Sequence, residues 1–420
     1  MRILKTEFTQ GLIWNYISIF FLAIGGITFS FLIGLYYDAE TLGNFNLIYA
    51  YYIVLSQIGV WGCHMAVTKY VSEYADDIEK VNTILSCAVL LVGFSAMILG
   101  LLIWLICVFF IRDFLSGALL NALYSLILAV FFFSINKVIL GYLNGLSKMK
   151  EYAIFQSLRN ILIAAWIIFF AVMDIPGNKV SFCFVYTEII IFLLEIPIII
   201  IKERFRVHLS IDGLRKIVFF GTRIMPANIV LELSTKVDIL CLSWVLKDER
   251  TVGIYSFAIL FAEGFYQLFV VVRRSINPYV TQNYKKKELG CYYKKIENKI
   301  KRFGYSMAVT GLIIIAAGYR ILCLFLDDQG YQTGIFSLVI VMVAIAVNMK
   351  SIIFGNILSQ TGYPLEESVN NIITVMANFI LNIVFIYKWG MIGAAFATGT
   401  SYFIFSFNQR VLVKKKLKLY

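Results

Sequence analysis

The 420 residues are 60% hydrophobic and 16% aromatic, with a mean hydropathy of +0.82, an apolar share well above that of soluble domains. This excludes a soluble globular enzyme: apolar runs long enough to cross a hydrocarbon core recur along the chain, without a barrel's alternation, so the expected spans are helical. The net charge of +12 is read as an orientation signal, and it implies no nucleic-acid binding.

A lead of MRILKTEFTQ precedes a first span expected near 11–36. That run is longer than the apolar region of a signal peptide and no small-residue cleavage pattern follows, so it is expected to be retained. Spans follow near 43–68, 83–110, 117–145, 153–173 and 181–201, then near 217–246, 251–280, 303–326, 333–360, 367–387 and 390–410. The fold class is therefore an all-α integral membrane protein of twelve transmembrane helices, with six-helix lobes at 1–205 and 206–420. Twelve spans place both termini on one side. That side carries 24 Lys and Arg, the opposite side 5, and 8 lie inside spans, so both termini and the loops at 202–216 and 283–302 are expected to be cytoplasmic. The basic segments KKKELGCYYKKIENKIKR and KKKLKLY are expected beside anionic head groups.

The outward connections are short, which leaves no sizeable extramembrane segment of the kind a membrane glycosyltransferase, polymerase or ligase uses to hold reacting groups. The seven cysteines show no CxxC or other metal spacing and six fall within spans, where packing is the ordinary role. His64 and His208 are the only histidines, too few for a metal site. No GxxxxGK[ST] loop is present, so ATP is not the expected direct energy source.

A shift of 210 residues superposes DAETLGNF (Asp38–Phe45) on DERTVGIY (Asp248–Tyr255), matching Asp38 with Asp248, Thr41 with Thr251 and Gly43 with Gly253. The same shift pairs Gly11 with Gly221 and Gln57 with Gln267. Spans 4 and 10 also correspond roughly, with Lys137 four residues before Gly141 and Lys350 five before Gly355. Halves with an even number of spans are parallel repeats about an axis along the membrane normal, an arrangement of transporters.

The segments TLGNFNLIYAYYIVLSQIGVWGCHMAVTKYVSEY, DERTVGIYSFAILFAEGFYQ, ILSQTGYP and WGMIGAAFATGTSYFIF resemble polysaccharide-repeat-unit flippases, the Wzx-type members of the multidrug/oligosaccharidyl-lipid/polysaccharide exporter superfamily. The resemblance runs end to end but rests on loose glycine and small-residue patterns. It implies two six-helix lobes around a central cavity, and movement of an undecaprenyl-pyrophosphate-linked oligosaccharide from the cytoplasmic to the periplasmic leaflet of a bacterial inner membrane, for O-antigen or capsule synthesis. The implied partners are that cargo, membrane lipids, a polysaccharide polymerase and chain-length regulator, and a proton or sodium as coupling ion. No cofactor is implied.

The residues themselves point to candidate sites. An ionised side chain inside a span costs about 2.5–3.5 kcal/mol and normally faces an interior or a partner. Lys137, Arg159, Arg223, Lys236, Arg273, Arg274, Arg320 and Lys350 are the in-span cations, against Glu188, Glu195, Glu232, Asp238 and Glu263. The cation excess suits a pyrophosphate. All but Arg320, expected as an interfacial anchor, are candidate cargo-binding residues; for Arg273 and Arg274 head-group anchoring is the equal alternative. In span 7, Glu232 and Lys236 stand in the favourable i,i+4 order and could simply neutralise each other, while Pro226 is expected to bend the helix. Glu188 and Glu195 share a face and could pair with a neighbouring span or titrate. Asp238 and Glu263 are the ion-coupling candidates. A multidrug exporter of the same superfamily would favour a carboxylate-rich cavity, a major facilitator transporter a Gly-rich loop between spans 2 and 3, where this chain has TKYVSEYADDIEK. A polytopic polymerase or ligase is the enzymatic alternative.

Overall fold

The computed structural model describes residues 25–111, 117–202 and 205–419, and every regular element among them is helical. The first span is seen from residue 25 as α1 (Gly25–Tyr36); its earlier part, the lead and Gly11 of the repeat lie outside the described residues. The chain continues as α2 (Ala39–Val60), α3 (Cys63–Glu73), α4 (Ile78–Ile106), α5 (Gly117–Gly145), α6 (Met149–Val172) and α7 (Phe182–Pro197). Then come α8 (Ile211–Leu246), α9 (Glu249–Lys285), α10 (Leu289–Lys299), α11 (Tyr305–Cys323), α12 (Gly334–Ile353), α13 (Ile357–Gln360) and α14 (Pro364–Leu417). Among the described residues eight helices are long and apolar enough to cross a membrane, or nine if the bent α2–α3 pair is one span. The chain is a multi-pass membrane protein.

Two compact units emerge, one ending at Leu233 and the other formed by Asp38–Gly43 together with Ser234 onward. The main boundary falls within α8, whereas the halves read from the sequence meet at 205/206.

In the first unit the expected second span is broken. Trp61 and Gly62 both take positive φ, 50° and 67°, and α3 leaves α2 at 51°. Gly62 is required there twice over, since a Cβ would be strained at that φ and would lie 2.7 Å from the Gly221 carbonyl oxygen. The Trp61 indole donates to Thr222 Oγ1 at 3.0 Å, fixing the bend against α8. Asp77 caps α4 by accepting from the Lys80 backbone N–H at 3.1 Å, and bonds to Lys80 hold its exposed carboxyl below the ordinary carboxylate value. An aromatic stack of Phe45, Tyr52 and Phe184 ties α2 to α7, with centroids 4.9 and 5.1 Å apart.

In the second unit the sequence repeat becomes a physical contact. Asp38 accepts from the Thr41 N–H at 2.7 Å, and Asp248 accepts from the Arg250 and Thr251 N–H groups, so the repeated D-x-x-T is an N-cap at both places. The turns that follow lie against each other: a Cβ on Gly43 would run into the Glu249 carbonyl, and one on Gly253 into the Ala39 carbonyl. Helices approach this closely only through small residues.

The segment expected as a loop at 283–302 is mostly helix: α10 runs through a π turn at Ile300–Gly304 into α11. Its apolar positions Leu289, Tyr293 and Ile300 are buried while Lys294, Lys295 and Lys299 face outward, an amphipathic pattern. Expected spans 11 and 12 share one element, α14, which would be about 80 Å long if straight. Gly390 breaks it with φ 56° and ψ −134°, a conformation open to glycine. α8 continues through Pro226.

Candidate functional site

Two polar clusters are built into the apolar interior, one in each unit. In the first, Glu188 on α7 is 1% exposed and fully engaged. It accepts from the Tyr52 hydroxyl at 2.7 Å, from Asn136 Nδ2 at 2.8 Å, and from Arg159 Nε and Nη2 at 2.6 and 3.3 Å. The guanidinium also lies over the Phe133 ring, 4.8 Å from its centroid. Arg159 is thus a member of a buried ion pair whose disruption would leave an uncompensated charge, at a cost of about 3–5 kcal/mol. Glu195, one face-repeat further along α7, is fully buried and neither of its carboxyl oxygens has a hydrogen-bond partner among the described residues.

Lys137 on α5 is different in kind. Its ammonium lies 5.5 Å from the Phe133 centroid and within the electrostatic reach of Arg159, His64 and Glu232, yet it makes no ion pair among the described residues. Glu232 accepts from Gln57 Nε2 at 3.2 Å. Arg223 is exposed and stacks on Phe219, 3.7 Å from its centroid. Lys236 is half-buried.

In the second unit Asp238 of α8 is caged. Thr398 Oγ1 donates to it at 2.5 Å, the Tyr255 hydroxyl at 3.1 Å, and the side-chain amides of Asn382 and Asn378 at 2.9 and 3.1 Å. Asn382 Oδ1 is buried without a hydrogen-bond partner among the described residues. Two hydroxyls and two side-chain amide N–H groups thus converge as donors on one carboxylate, satisfying its lone pairs in an otherwise apolar interior. No group of three or more His, Cys, Asp or Glu that could hold a metal occurs among the described residues. Glu263 on α9 is half-buried near Tyr255 and Tyr402 and does not join the cage.

The remaining candidates separate further. Lys350 bonds Glu297 on α10 at 2.9 Å and lies 5.0 Å from the Tyr293 ring centroid, so the two lysines matched by sequence are held differently. Arg273 is half-buried against Gly355, where a Cβ would come 2.7 Å from its guanidinium; Arg274 and Arg320 are exposed. The cage residues Tyr255, Asn378, Asn382 and Thr398 were not among the expected site residues. The signal available was the pair Asn378 and Asn382, two amides at i,i+4 in the apolar stretch MANFILNIVF.

Comparison with known proteins places this arrangement. The polysaccharide biosynthesis protein family model matches residues 8–284. Among solved structures, the fold is similar to a lipid II flippase MurJ in an inward closed conformation, with TM-score 0.78 and 18% identity over 96% of this chain and 87% of that one. It is also similar to an inward-facing MATE family multidrug resistance transporter of the MOP superfamily, with TM-score 0.73 and 13% identity over 97% and 99%. The multidrug transporter DinF-BH follows with TM-score 0.61 and 14% identity over 98% and 95%. No curated protein matches. At these identities the structures establish a shared fold, and the family model, which spans well over half of the sequence, establishes that the chain belongs to the polysaccharide biosynthesis protein family.

Proposed function

We propose that the chain is a flippase that moves an undecaprenyl-pyrophosphate-linked oligosaccharide repeat unit from the cytoplasmic to the periplasmic leaflet of a bacterial inner membrane, with both termini cytoplasmic, for O-antigen or capsule assembly. The observation that carries this reading is Lys137: a membrane-embedded cation without an ion-pair partner among the described residues, in a chain of a polysaccharide biosynthesis family. An in-span ammonium is a standing cost, and an anionic head group passing it would lower that cost. Lys236, Arg223, Arg273 and Arg274 supply further positive charge along the cargo's route, with Arg159 and Lys350 supporting from within ion pairs. A polysaccharide polymerase and chain-length regulator would act on the delivered unit. The protein does no bond-making chemistry in this reading.

Asp238 is the coupling site. Its cage joins α8, α9 and both parts of α14 through one carboxylate, so exchange of a proton or sodium there would reorganise three helices of the unit together. Glu263 is a secondary candidate, close to Tyr255 of the cage. The likeness to MATE transporters supports a multidrug exporter as the second reading, but the cation excess of the spans favours an anionic cargo.

The test is flipping of a fluorescent undecaprenyl-pyrophosphate saccharide by reconstituted protein, with and without proton or sodium gradients. Directional flipping that Asp238→Asn uncouples from the gradient is expected. Absence of flipping, with gradient-dependent efflux of cationic dyes in its place, would establish the exporter reading.

A further inference from the structure

Glu195 is the one buried carboxyl among the described residues with both oxygens lacking a hydrogen-bond partner. It is 0% exposed, and an ionised carboxylate cannot be held in such surroundings without a compensating charge or hydrogen bond. Among the described residues the positive group that acts on it is Arg159, whose Nε and Nη2 are already committed to Glu188 seven residues earlier on the same helix. The other titratable groups facing that ion pair are Tyr52 of α2, Lys137 of α5 and Tyr152 of α6. Two carboxyl groups therefore share one guanidinium, and the present geometry satisfies only one of them. The backbone next to Glu195 is also irregular: Pro197 lacks an N–H, and the helix widens into a π turn over Ile198–Lys202, a distortion that often accompanies functional sites in helices.

We propose that Glu195 is a proton-binding site of the first unit, and that loss of its proton draws Arg159 from Glu188 toward Glu195. In the resting state of this proposal the Glu195 carboxyl carries the proton and the Arg159–Glu188 pair is neutral as a whole. On release the O–H bond of Glu195 breaks, the proton passes to water, and the new carboxylate charge is answered by donors of the Arg159 guanidinium, which stays protonated. Glu188 keeps the Tyr52 hydroxyl and the Asn136 amide in that state, so its charge does not become bare. The irregular backbone after Glu195 gives the helix a place to yield as the arginine moves. The proposal rests on the flippase reading only for its consequence in transport, where it adds a second titrating site to Asp238.

Infrared difference spectroscopy of the whole chain in lipid nanodiscs tests it without a transport assay. Wild-type protein should show, at neutral pH, the carbonyl stretch of an un-ionised carboxylic acid that disappears on alkalinisation. Glu195→Gln should remove that band, and Asp238→Asn should leave it. Glu188→Gln frees Arg159 for Glu195 and should remove it as well, an effect that mere burial of Glu195 would not give. A wild-type spectrum without the band, its persistence in Glu195→Gln or Glu188→Gln, or its loss on adding sodium at fixed pH would overturn the proposal. Failure of the flippase reading would leave the band untouched.

Discussion

Gly43 and Gly253, 210 residues apart in sequence, meet in the second unit, each beneath the backbone carbonyl of the residue four positions before the other. The exchange is reciprocal: Ala39 and Glu249, the residues that supply those carbonyls, are themselves related by the same 210-residue shift. The three identities that cluster at the repeated hairpin are thereby given a physical cause. The capped D-x-x-T turns start two helices at a crossing so tight that only hydrogen fits at the fourth position after each starting residue.

Replacing either glycine by alanine should therefore destabilise the protein, by at least the 1–3 kcal/mol typical of overpacking, because the obstructing atoms are backbone and cannot rotate away. Gly264, on the same helix as Gly253, has open space where a Cβ would go. Gly264→Ala should be neutral or stabilising by up to about 1 kcal/mol. Thermal unfolding of the detergent-purified variants checks the contrast; equal melting temperatures for Gly253→Ala and Gly264→Ala would refute it.

The two in-span lysines give a second contrast. Lys350 and Glu297 are 15% and 21% exposed and bonded at 2.9 Å, so Lys350→Ala should lower stability by about 1–3 kcal/mol. Glu297 keeps Lys301 at 3.1 Å, which limits the loss. Lys137 has no such bond among the described residues, and Lys137→Ala should leave stability unchanged or raised while reducing flipping at least tenfold. Parallel measurements of protein level, melting temperature and flipping separate the two. Normal flipping by well-inserted Lys137→Ala would remove it from the cargo path.

Which parts of this were legible in the sequence follows from the range of the interactions. Span positions depend on local hydropathy, and the N-caps on a residue and its neighbours three positions on, so both were readable. Asp238 stood out as a charge in a span, but its partners Asn378, Asn382 and Thr398 lie 140–160 residues away, and no local pattern reports such a distance. Glu297 was placed in a loop because KKIENKIKR is dense in charge. The spacing of Leu289, Tyr293 and Ile300 that makes α10 amphipathic was present in the same letters, and it carries Glu297 to Lys350. The bend at Trp61–Gly62 was missed because a glycine amid apolar residues reads as ordinary helix packing until the Gly221 backbone is seen against it.

A pH-dependent contribution is expected from the turn before α12. Asp328 accepts from Arg250 Nη2 at 2.7 Å and Nε at 3.0 Å and from the Gly330 N–H at 2.7 Å. The Arg250 bonds, foremost, and the Gly330 N–H hold its carboxyl below the ordinary value of 3.8, against the opposing effect of burial. A depressed folded value means the contribution is fully present above the unfolded value near 3.8 and is lost as pH falls through the folded one. With Arg250 more than half exposed, screening limits it to about 0.5–1 kcal/mol. Asp328→Asn should thus melt earlier than wild type at pH 7, and the gap should close as the pH is lowered below about 4. A gap independent of pH would show that the carboxylate charge is not what matters.

The orientation can be tested with a probe the chain already contains. Of its seven cysteines, six are buried and Cys291 alone is exposed, on the outward side of amphipathic α10 among Lys294, Lys295 and Lys299. The concentration of Lys and Arg in this segment predicts that it faces the cytoplasm, since such residues are retained on that side. A membrane-impermeant maleimide should therefore leave the protein unlabelled in intact spheroplasts and modify a single site once the membrane is permeabilised. Cys291→Ser should abolish that labelling without changing protein level, because the residue is exposed. Labelling of Cys291 in sealed spheroplasts would invert the orientation. With it would go the cytoplasmic placement of both termini and the direction of cargo movement.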